Sequence, residues 1–477
     1  MLFSNGRWIV PLAAWIFPIF FIRFLRTQKL IPGFIFLSII SALVNMIIWW
    51  KMIPFPIALY FFMMGLMGII FSLSFLADRL LSTHLKGFAT TLVFPASWCT
   101  IDYLLTLTSK GTWLSLAYTQ SDNLPLLQLT SVTGISGIVF LITWFASFCI
   151  WLLEQNFEWK YISKGIYVYT SVMGAILLFG IIRLNFFSTN GNTVRIASIV
   201  QKRELNDDLS SCKWTDAKGI GKFSTELENN LLEKSKESAQ SGAKIVLWQE
   251  AAGFIPKQEE EDFIKRAMKL AAQEKIYLLM TLWSVPENFP KNKVENKLII
   301  INPEGIQKVN YIKNNPAPPE PILKGDGTIP VLQTIYGKIA PAICADGDYA
   351  GFIRQAGQNK ADILFLPAND WKAIDPIHTY MAIMRAIENG FSIVHPAGQG
   401  LSVAADNLGR IISSMDFYTT SEQVMYSDVP IRGSRTIYAL IGDAFAWLCI
   451  AGFTAVTASV IFRKNFKGRM EKVKKRG

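Results

Sequence analysis

Residues Ile245–Glu250 read IVLWQE, and this stretch decides how the polar part of the chain folds. Its first four residues form a short apolar run rich in β-branched and aromatic side chains, which is typical of a buried strand. Glu250 follows the run directly. A carboxylate at that position is either the solvated end of the strand or a general base held beside the ring of Trp248. The stretch therefore predicts a strand that ends in a candidate catalytic group.

On both sides of this stretch, strand-like apolar runs alternate with amphipathic, helix-like segments between Thr193 and Val429. We predict strands at Val194–Val200, Lys244–Trp248, Ile276–Leu282, Lys338–Ile343 and Asp362–Leu366, and helices at Phe223–Glu237, Glu260–Glu274 and His378–Asn389. Strands interleaved with helices favour a layered α/β domain.

The rest of the chain is much more apolar. The sequence is 51% hydrophobic, and its mean hydropathy is +0.30. Most of the uncharged runs reach the ~17–25 residues that a helix needs to cross a bilayer. These runs are Trp8–Ile22, Leu30–Trp50, Pro54–Leu76, Phe88–Ile101, Val132–Leu153, Gly165–Ile182 and Ala444–Phe462. The pattern predicts an α-helical polytopic membrane domain in addition to the α/β domain.

The charges predict the orientation of these spans. The net charge is +11, and Arg463–Gly477 alone has eight Lys or Arg residues against one Glu. Directly after a span, such a tail is typical of a cytoplasmic anchor on anionic lipid rather than of a nucleic-acid site. The positive-inside rule then places the α/β domain outside the cytoplasm. We expect a six-span domain at 1–184, an extracytoplasmic catalytic domain at 185–436, a last helix at 437–462 and a tail at 463–477.

Cys344 is the candidate nucleophile. It ends the apolar run Lys338–Ile343 and enters the polar turn Ala345–Asp348, which is how a nucleophile elbow is placed. Alternatively, it is a small buried hydrophobic residue, which is the commonest role of a free cysteine. If Lys313 lies near it, the ammonium lowers the pKa of the thiol and favours the thiolate. Lys313 by itself is equally consistent with a solvated surface lysine.

A carboxylate, an ammonium and a thiol together suit acyl transfer. In that reading Glu250 takes a proton, Cys344 attacks, and Lys313 holds the oxyanion. Glu320 is a second candidate carboxylate, because it lies in the stretch Lys313–Lys324, whose four prolines predict a stiff irregular loop.

Asp346 and Trp214 are further candidates for contacts around the substrate, although each has an ordinary alternative. Asp346 is also explained as the cap of the turn after the cysteine. Trp214, in the polar segment SSCKWTD, is also explained as an interfacial anchor at the membrane.

The cysteines and histidines predict no metal and no cofactor. Of five cysteines, only Cys212 and Cys344 lie outside the apolar runs, and their spacing suggests neither a disulfide framework nor a zinc site. The three histidines are scattered along the chain. A cysteine–histidine dyad that uses His378 or His395 remains an alternative to the Glu–Lys–Cys set.

Several motifs carry a resemblance to a known family. Trp248-Gln249-Glu250 resembles the W-P-E of the nitrilase superfamily, whose catalytic set is a glutamate, a lysine and a cysteine in this order. Nearly the whole chain resembles the apolipoprotein N-acyltransferases, the membrane branch of that superfamily. Their pattern G-x-W-L…G-Y-x-Q is matched at Gly111-Thr112-Trp113-Leu114, Tyr118 and Gln120, and a family Lys-Trp is matched at Lys213-Trp214.

The resemblance implies a fold, a site and a reaction. The fold would be a nitrilase-like αββα sandwich beside the spans, in a bacterial cytoplasmic membrane. Glu250, Lys313 and Cys344 would be catalytic, with Glu320, Asp346, Trp214, Trp113, Tyr118 and Gln120 binding substrate or supporting the site. The acyl donor would be a phospholipid, the carrier a cysteine thioester, and the acceptor the α-amino group of a diacylglyceryl-cysteine lipoprotein.

The sequence departs from the family at three points that bear on the acceptor. Gln249 replaces the usual proline, Ala345-Asp346 replaces the usual Tyr-Glu after the cysteine, and six spans rather than seven precede the polar domain. Other readings therefore stay open: transfer to a different amine, an amidase or nitrilase-type hydrolase that uses water, or a lipid-binding factor with a degenerate site.

Overall fold

The computed structural model describes residues 1–108, 111–187, 191–201, 213, 215–318 and 320–474, with side chains up to Arg463. Cys212 and the predicted substrate contact Trp214 lie outside the described residues. The chain divides into two compact units. Unit 1 comprises Met1–Ile182 and Ile441–Gly477, and unit 2 comprises Arg183–Leu440.

The helices are α1 (Pro11–Thr27), α2 (Leu30–Ile48), α3 (Ile57–Leu81), α4 (Val93–Thr106), α5 (Leu124–Leu127), α6 (Thr130–Thr133), α7 (Ile135–Glu154), α8 (Trp159–Phe186), α9 (Ala217–Gln240), α10 (Glu260–Glu274), α11 (Ala350–Gln358), α12 (Ile377–Asn389), α13 (Ile437–Ile441) and α14 (Ala444–Lys474). Two 3₁₀ turns that matter below are Leu116–Gln120 and Cys344–Asp348.

The strands are β1 (Ser4–Asn5), β2 (Trp8–Ile9), β3 (Thr193–Ile199), β4 (Ile245–Trp248), β5 (Gly253–Pro256), β6 (Tyr277–Val285), β7 (Glu295–Ile301), β8 (Gln307–Ile312), β9 (Leu332–Thr334), β10 (Gly337–Pro341), β11 (Ile363–Phe365), β12 (Ala368–Asn369), β13 (Ser392–His395), β14 (Ala397–Gly398), β15 (Leu401–Ala405), β16 (Ile411–Asp416) and β17 (Val424–Pro430).

Unit 1 is built from helices that suit a bilayer. Within the described part of the chain, six helical segments are long and apolar enough to cross a membrane: Leu30–Ile48, Ile57–His84, Gly87–Thr106, Ile135–Glu154, Trp159–Phe186 and Ala444–Arg463. Helix α1, with 17 residues, is a further apolar helix before them. Along α2, a residue every fourth position is at least half exposed, which forms an apolar stripe for lipid: Ile31, Ile35, Ile39 and Leu43. The predicted multi-pass membrane domain is confirmed.

The first apolar run differs from its prediction at its start. The sequence predicts a span from Trp8, but Trp8–Ile9 forms β2 and pairs with β1 in a short antiparallel hairpin. The helix begins only at Pro11, in the first turn of α1. Proline is favoured there because its fixed φ suits a helix start and the N–H that it lacks would have no partner in the helix.

A cluster of charged residues joins the carboxyl-terminal ends of three helices in unit 1. Arg26 of α1 forms an ion pair of 2.7 Å with Asp78 of α3 and one of 2.8 Å with Glu154 of α7. Asp78 is almost fully buried. The guanidinium therefore neutralises a carboxylate that would be costly to bury alone.

Unit 2 contains two large sheets. The first has the order β17-β3-β4-β6-β7-β8, with β5 also paired to β6, and the second has the order β16-β15-β13-β11-β10-β9. Each mixes parallel pairs, such as β3–β4 and β10–β11, with antiparallel pairs at its edges. Strands β12 and β14 form a short separate parallel pair.

The two sheets pack face to face. One buried cluster contains side chains from both, including Ile196, Leu247 and Leu298 of the first sheet and Ile339, Phe365 and Val394 of the second. A second cluster joins α9 and α10 to the other face of the first sheet, through Leu227, Leu231, Phe263, Val246 and Met280. Helices α11 and α12 contact each other, and α12 contacts β13 and β15 of the second sheet. The predicted helix–sheet–sheet–helix sandwich is confirmed.

Candidate active site

Glu250 lies just past the carboxyl end of β4, beside Ala251, whose φ is 53°. The glutamate is only 3% exposed. Its Oε1 accepts hydrogen bonds from Lys313 Nζ (2.8 Å) and Asn296 Nδ2 (2.8 Å), and its Oε2 accepts one from the backbone N–H of Asn369 (2.9 Å). Three donors hold this carboxylate in one orientation, which a general base needs in order to meet a specific proton.

Lys313 follows β8, the edge strand of the first sheet, and its side chain is fully buried. Nζ lies 2.8 Å from Glu250 Oε1 and 2.9 and 2.8 Å from the two oxygens of Glu320. Burial by itself would lower the pKa of Lys313, but the two carboxylates raise it well above its ordinary value. The side chain is therefore an ammonium whose three hydrogens all point at carboxylate oxygens.

Cys344 opens the 3₁₀ turn Cys344–Asp348, which we call the cysteine turn. Its backbone N–H donates to the carbonyl of Pro367 at 2.9 Å, and its φ of 47° lies in the left-handed region that favours glycine. A non-glycine residue held there stores backbone strain, as in the nucleophile elbows of other enzymes. The thiol thus lies in a strained turn shortly after β10.

The electrostatics of the thiol differ from the expectation that Lys313 would favour the thiolate. Burial raises the pKa of Cys344 well above its ordinary value, and the Glu250 carboxylate raises it further. The Lys313 ammonium lowers this pKa, as its charge requires, but it is outweighed. The resting group is a thiol, so it needs a base to take its proton as it attacks.

Glu320 anchors the lysine. The described residues of Lys313–Lys324, which we call the lysine loop, are irregular, as its prolines predict. Besides Lys313, the carboxylate of Glu320 binds the backbone N–H of Ala317 at 2.9 Å. Burial raises the pKa of Glu320, and the neighbouring ammonium lowers it. The structure thus brings Glu250, Lys313, Cys344 and Glu320 into one buried cluster.

Asp346 is buried within the protein and has five hydrogen-bond contacts. Its Oδ2 accepts from the Tyr311 hydroxyl (2.6 Å) and the Ile343 N–H (3.0 Å). Its Oδ1 accepts from the backbone N–H groups of Asn314 (3.2 Å) and Asn315 (2.8 Å) and from Asn315 Nδ2 (2.9 Å). These contacts tie the cysteine turn to the start of the lysine loop.

The predicted contacts of the G-x-W-L…G-Y-x-Q motif lie in unit 1. The Tyr118 hydroxyl donates to Thr112 Oγ1 at 2.6 Å, and Gln120 Oε1 accepts from Trp15 Nε1 at 3.0 Å. Both Tyr118 and Gln120 are buried, whereas Trp113 is partly exposed. These two hydrogen bonds fasten the motif loop to itself and to α1.

His378, which the sequence names only as an alternative partner of the cysteine, forms a charged pair with Asp370 beside the thiol. His378 Nδ1 lies 2.7 Å from Asp370 Oδ1, and its Nε2 lies 3.4 Å from Asp348 Oδ1. The Cys344 sulfur, a carboxylate oxygen of Asp370 and a ring nitrogen of His378 all lie within 4.8 Å of one another. The groups around Cys344 therefore include the imidazole of His378 as well as the ammonium of Lys313.

These three groups are of the types that zinc accepts. However, Asp370 and the ring nitrogen that faces it are already in hydrogen-bonding contact, which leaves no space for an ion between them. The geometry is that of an ion pair beside a thiol, and we assign no metal to it.

Asn296 and the segment at β12 also contribute to the site, and no sequence pattern pointed to Asn296. Asn296 lies on β7 and binds the Glu250 carboxylate, and only the alternation of side chains along that strand hints that it faces the core. The segment at β12 has three tasks: the Pro367 carbonyl holds the cysteine turn, the Asn369 N–H holds Glu250, and Asp370 binds the imidazole.

Comparison with known proteins matches both units. Residues 224–437 match the carbon-nitrogen hydrolase family model, and residues 3–148 match the model of the apolipoprotein N-acyltransferase N-terminal domain. An apolipoprotein N-acyltransferase of Geobacter metallireducens is 24% identical, covering 80% of this chain and 76% of the relative. Apolipoprotein N-acyltransferase 1 of Treponema denticola is 23% identical, covering 96% of this chain and 93% of the relative.

Among solved structures, an amidase from Nesterenkonia sp. is similar with a TM-score of 0.41 and 17% sequence identity. The match covers 54% of this chain and 95% of the amidase.

Proposed function

Because this chain belongs to the apolipoprotein N-acyltransferase family of membrane acyltransferases, we propose that it moves a fatty acyl chain from a phospholipid to an amine through a thioester on Cys344. The acceptor is the α-amino group of a diacylglyceryl-cysteine lipoprotein. One observation carries the assignment of the chemistry: a single buried ammonium, Lys313, joins the Glu250 and Glu320 carboxylates beside a buried thiol.

The first half of the reaction acylates the enzyme. The Cys344 sulfur attacks the ester carbonyl of the phospholipid while Glu250 takes the thiol proton. Once Glu250 is neutral it attracts the Lys313 ammonium less, so an N–H of the lysine becomes available to the developing oxyanion. The tetrahedral intermediate then expels the lysophospholipid alkoxide, which takes the proton from Glu250.

The second half transfers the acyl chain. The acceptor amine attacks the thioester carbonyl, Glu250 accepts the proton that the nitrogen loses, and Lys313 again stabilises the oxyanion. The carbon–sulfur bond breaks, and the departing thiolate regains its proton from Glu250. An amide and the free thiol remain. Holding both lipids beside the site supplies much of the rate, because a bimolecular reaction becomes effectively intramolecular.

We place unit 2 on the extracytoplasmic face of a bacterial cytoplasmic membrane, with the carboxyl-terminal tail inside. The eight basic residues of Arg463–Gly477 support that orientation, since positive charge is retained on the cytoplasmic side. On that face the site meets both phospholipid and exported lipoproteins.

The decisive experiment follows the acyl group by mass. The full-length protein in phospholipid micelles, given a phospholipid with an isotopically labelled acyl chain, should gain one acyl mass on the peptide that contains Cys344. The C344S variant should gain little or none. C212S is the matched control, because Cys212 is the other cysteine outside the apolar runs, and it should label like the wild type. Labelling of Cys212 instead of Cys344 contradicts the proposal.

A second stage identifies the acceptor. The labelled acyl-enzyme is mixed with a diacylglyceryl-cysteine peptide, the same peptide with a blocked α-amine, or a lysine-containing peptide without lipid. Only the first should release the acyl chain as an amide. Free fatty acid as the main product would instead indicate a hydrolase with the same site.

A further inference from the structure

The imidazole beside Cys344 is buried and lies between two carboxylates. His378 lies at the start of α12 and is only 2% exposed. One ring nitrogen contacts Asp370, at the end of β12, and the other faces Asp348, the last residue of the cysteine turn. Burial by itself would lower the pKa of His378, but the two carboxylates raise it well above its ordinary value. The ring is therefore an imidazolium between two carboxylates.

The charges around Cys344 are otherwise mostly negative. Among the titratable groups with the largest effects on the thiol, Lys313 favours its ionisation and three carboxylates oppose it: Glu250, Asp370 and Glu320. Asp370 is the carboxylate that the proposed mechanism does not use. A negative charge this close to a nucleophile makes loss of the thiol proton harder, unless a cation offsets it.

We propose that His378 is a positioning residue for the acyl transfer: its imidazolium, fixed between Asp370 and Asp348, offsets the carboxylate charge beside Cys344 and so eases loss of the thiol proton. The inference rests on the proposed role of Cys344 as nucleophile. It assigns the buried pair a task in addition to that of Lys313, whose charge is shared by the Glu250 and Glu320 carboxylates in the resting site.

His395 provides a matched control within the same core. Its ring centroid lies 5.5 Å from that of His378, and its Nδ1 lies 2.6 Å from the carbonyl oxygen of Leu366. Burial, together with the positive charge of His378, lowers the pKa of His395 to about 4. Near neutral pH this second buried histidine is uncharged, so replacing it changes packing but not charge.

The first test measures how readily Cys344 ionises. The rate of alkylation by iodoacetamide is followed from pH 7 to 9 on the full-length protein, and peptide mass spectrometry reports Cys344 separately. In H378N the rate at each pH should fall about tenfold or more, because the Asp370 carboxylate loses its counter-ion and the thiol ionises less readily. H395N should keep the wild-type rate. In the double variant H378N/D370N both charges are gone, so the rate should return toward that of the wild type.

A purely structural role for His378 predicts a different pattern: H378N would alkylate at the wild-type rate at each pH, or would be slowed without any recovery when D370N is added. That result overturns the inference. The measurement does not require acyl transfer, so it separates this inference from the proposed function. If Cys344 never carries an acyl chain, the proposed function fails whatever the alkylation profile shows.

The second test does not use H378N and so survives a failure of that variant to fold. The chain has three histidines, His84, His378 and His395. Selective ¹³C labelling of histidine in the wild-type protein should show one ring that stays an imidazolium from pH 6 to 8 and one that stays neutral. Assignment by H395N identifies the neutral ring. Absence of a persistent imidazolium at pH 7.5 contradicts the inference.

Discussion

The Tyr311 hydroxyl donates a 2.6 Å hydrogen bond to Asp346 Oδ2, so the end of β8 is joined to the cysteine turn 35 residues further along the chain. The same carboxylate also accepts hydrogen bonds from the backbone N–H groups of Asn314 and Asn315, which directly follow Lys313. Asp346 therefore fixes the distance between the cysteine and lysine segments, and its side chain is turned into the protein.

Replacing Asp346 with Asn should lower both stability and acylation. The amide has one acceptor oxygen where the carboxylate has two, so at least one buried N–H or O–H loses its partner, which costs about 1–3 kcal/mol in the free energy of unfolding. Denaturant unfolding and formation of the acyl-enzyme measure the two effects. Y311F is the control, because it removes a single donor and should cost less. A D346N variant with unchanged stability but an altered choice of acceptor would place Asp346 at the substrate instead.

Lys313→Gln should abolish most acylation while the protein stays membrane-bound. The variant removes the proposed oxyanion donor and leaves Glu250 and Glu320 buried without their counter-ion, so the rate should fall at least about a hundredfold. Intact-mass detection of the acyl-enzyme provides the measurement. K324Q is the matched control, because Lys324 is an exposed lysine at the other end of the same loop. This variant should form the acyl-enzyme at the wild-type rate. Equal rates in the two variants would remove Lys313 from the mechanism.

E250Q should separate thiol reactivity from turnover. The Glu250 carboxylate raises the pKa of Cys344, so its loss lowers that pKa and increases the thiolate fraction at any pH below it. Alkylation of Cys344 at pH 8 should therefore become faster than in the wild type. Acyl transfer should nevertheless be lost, because the base that takes the thiol proton is missing. Slower alkylation in E250Q would contradict the electrostatic assignment.

The pH dependence of alkylation in the wild-type protein follows from the raised pKa of Cys344. A thiol with a raised pKa is protonated throughout the neutral range, and its thiolate fraction grows as pH rises toward that pKa. Alkylation should accelerate about tenfold for each pH unit between 7 and 9, because reactivity follows the thiolate. Glutathione, under the same conditions, provides a reference for an unburied thiol. A plateau below pH 8 in the protein would show that Cys344 is already ionised at rest.

Tyr118→Phe should lower the stability of unit 1 and leave substrate binding nearly unchanged. The variant removes the hydroxyl that bonds to Thr112, for a loss of about 1 kcal/mol in stability. The KM for phospholipid should stay within about twofold of the wild type. Tyr161→Phe, at an exposed tyrosine of α8, controls for loss of a hydroxyl without burial. A raised KM in Y118F alone would return this residue to the substrate contacts that the family motif suggests.

Some features of this protein were determined by the sequence because they depend on residues close together along the chain. Helix spans follow from uninterrupted apolar runs, and strands follow from short β-branched runs such as IVLWQE. The positions of Glu250 and Cys344 near strand ends are predictable for the same reason, because the strand signal and the polar residue that follows it are adjacent in the sequence.

Only the tertiary structure decided what those groups touch. Besides Lys313, the partners of Glu250 are Asn296 and Asn369, which are 46 and 119 residues away in sequence, and no local pattern encodes a strand order that brings them together. Thiol ionisation also depended on the fold: the lysine expected to favour the thiolate is outweighed by burial and a nearby carboxylate. Desolvation and through-space charge are set by packing, so the sequence supplied the titratable groups and the folded structure set their protonation states.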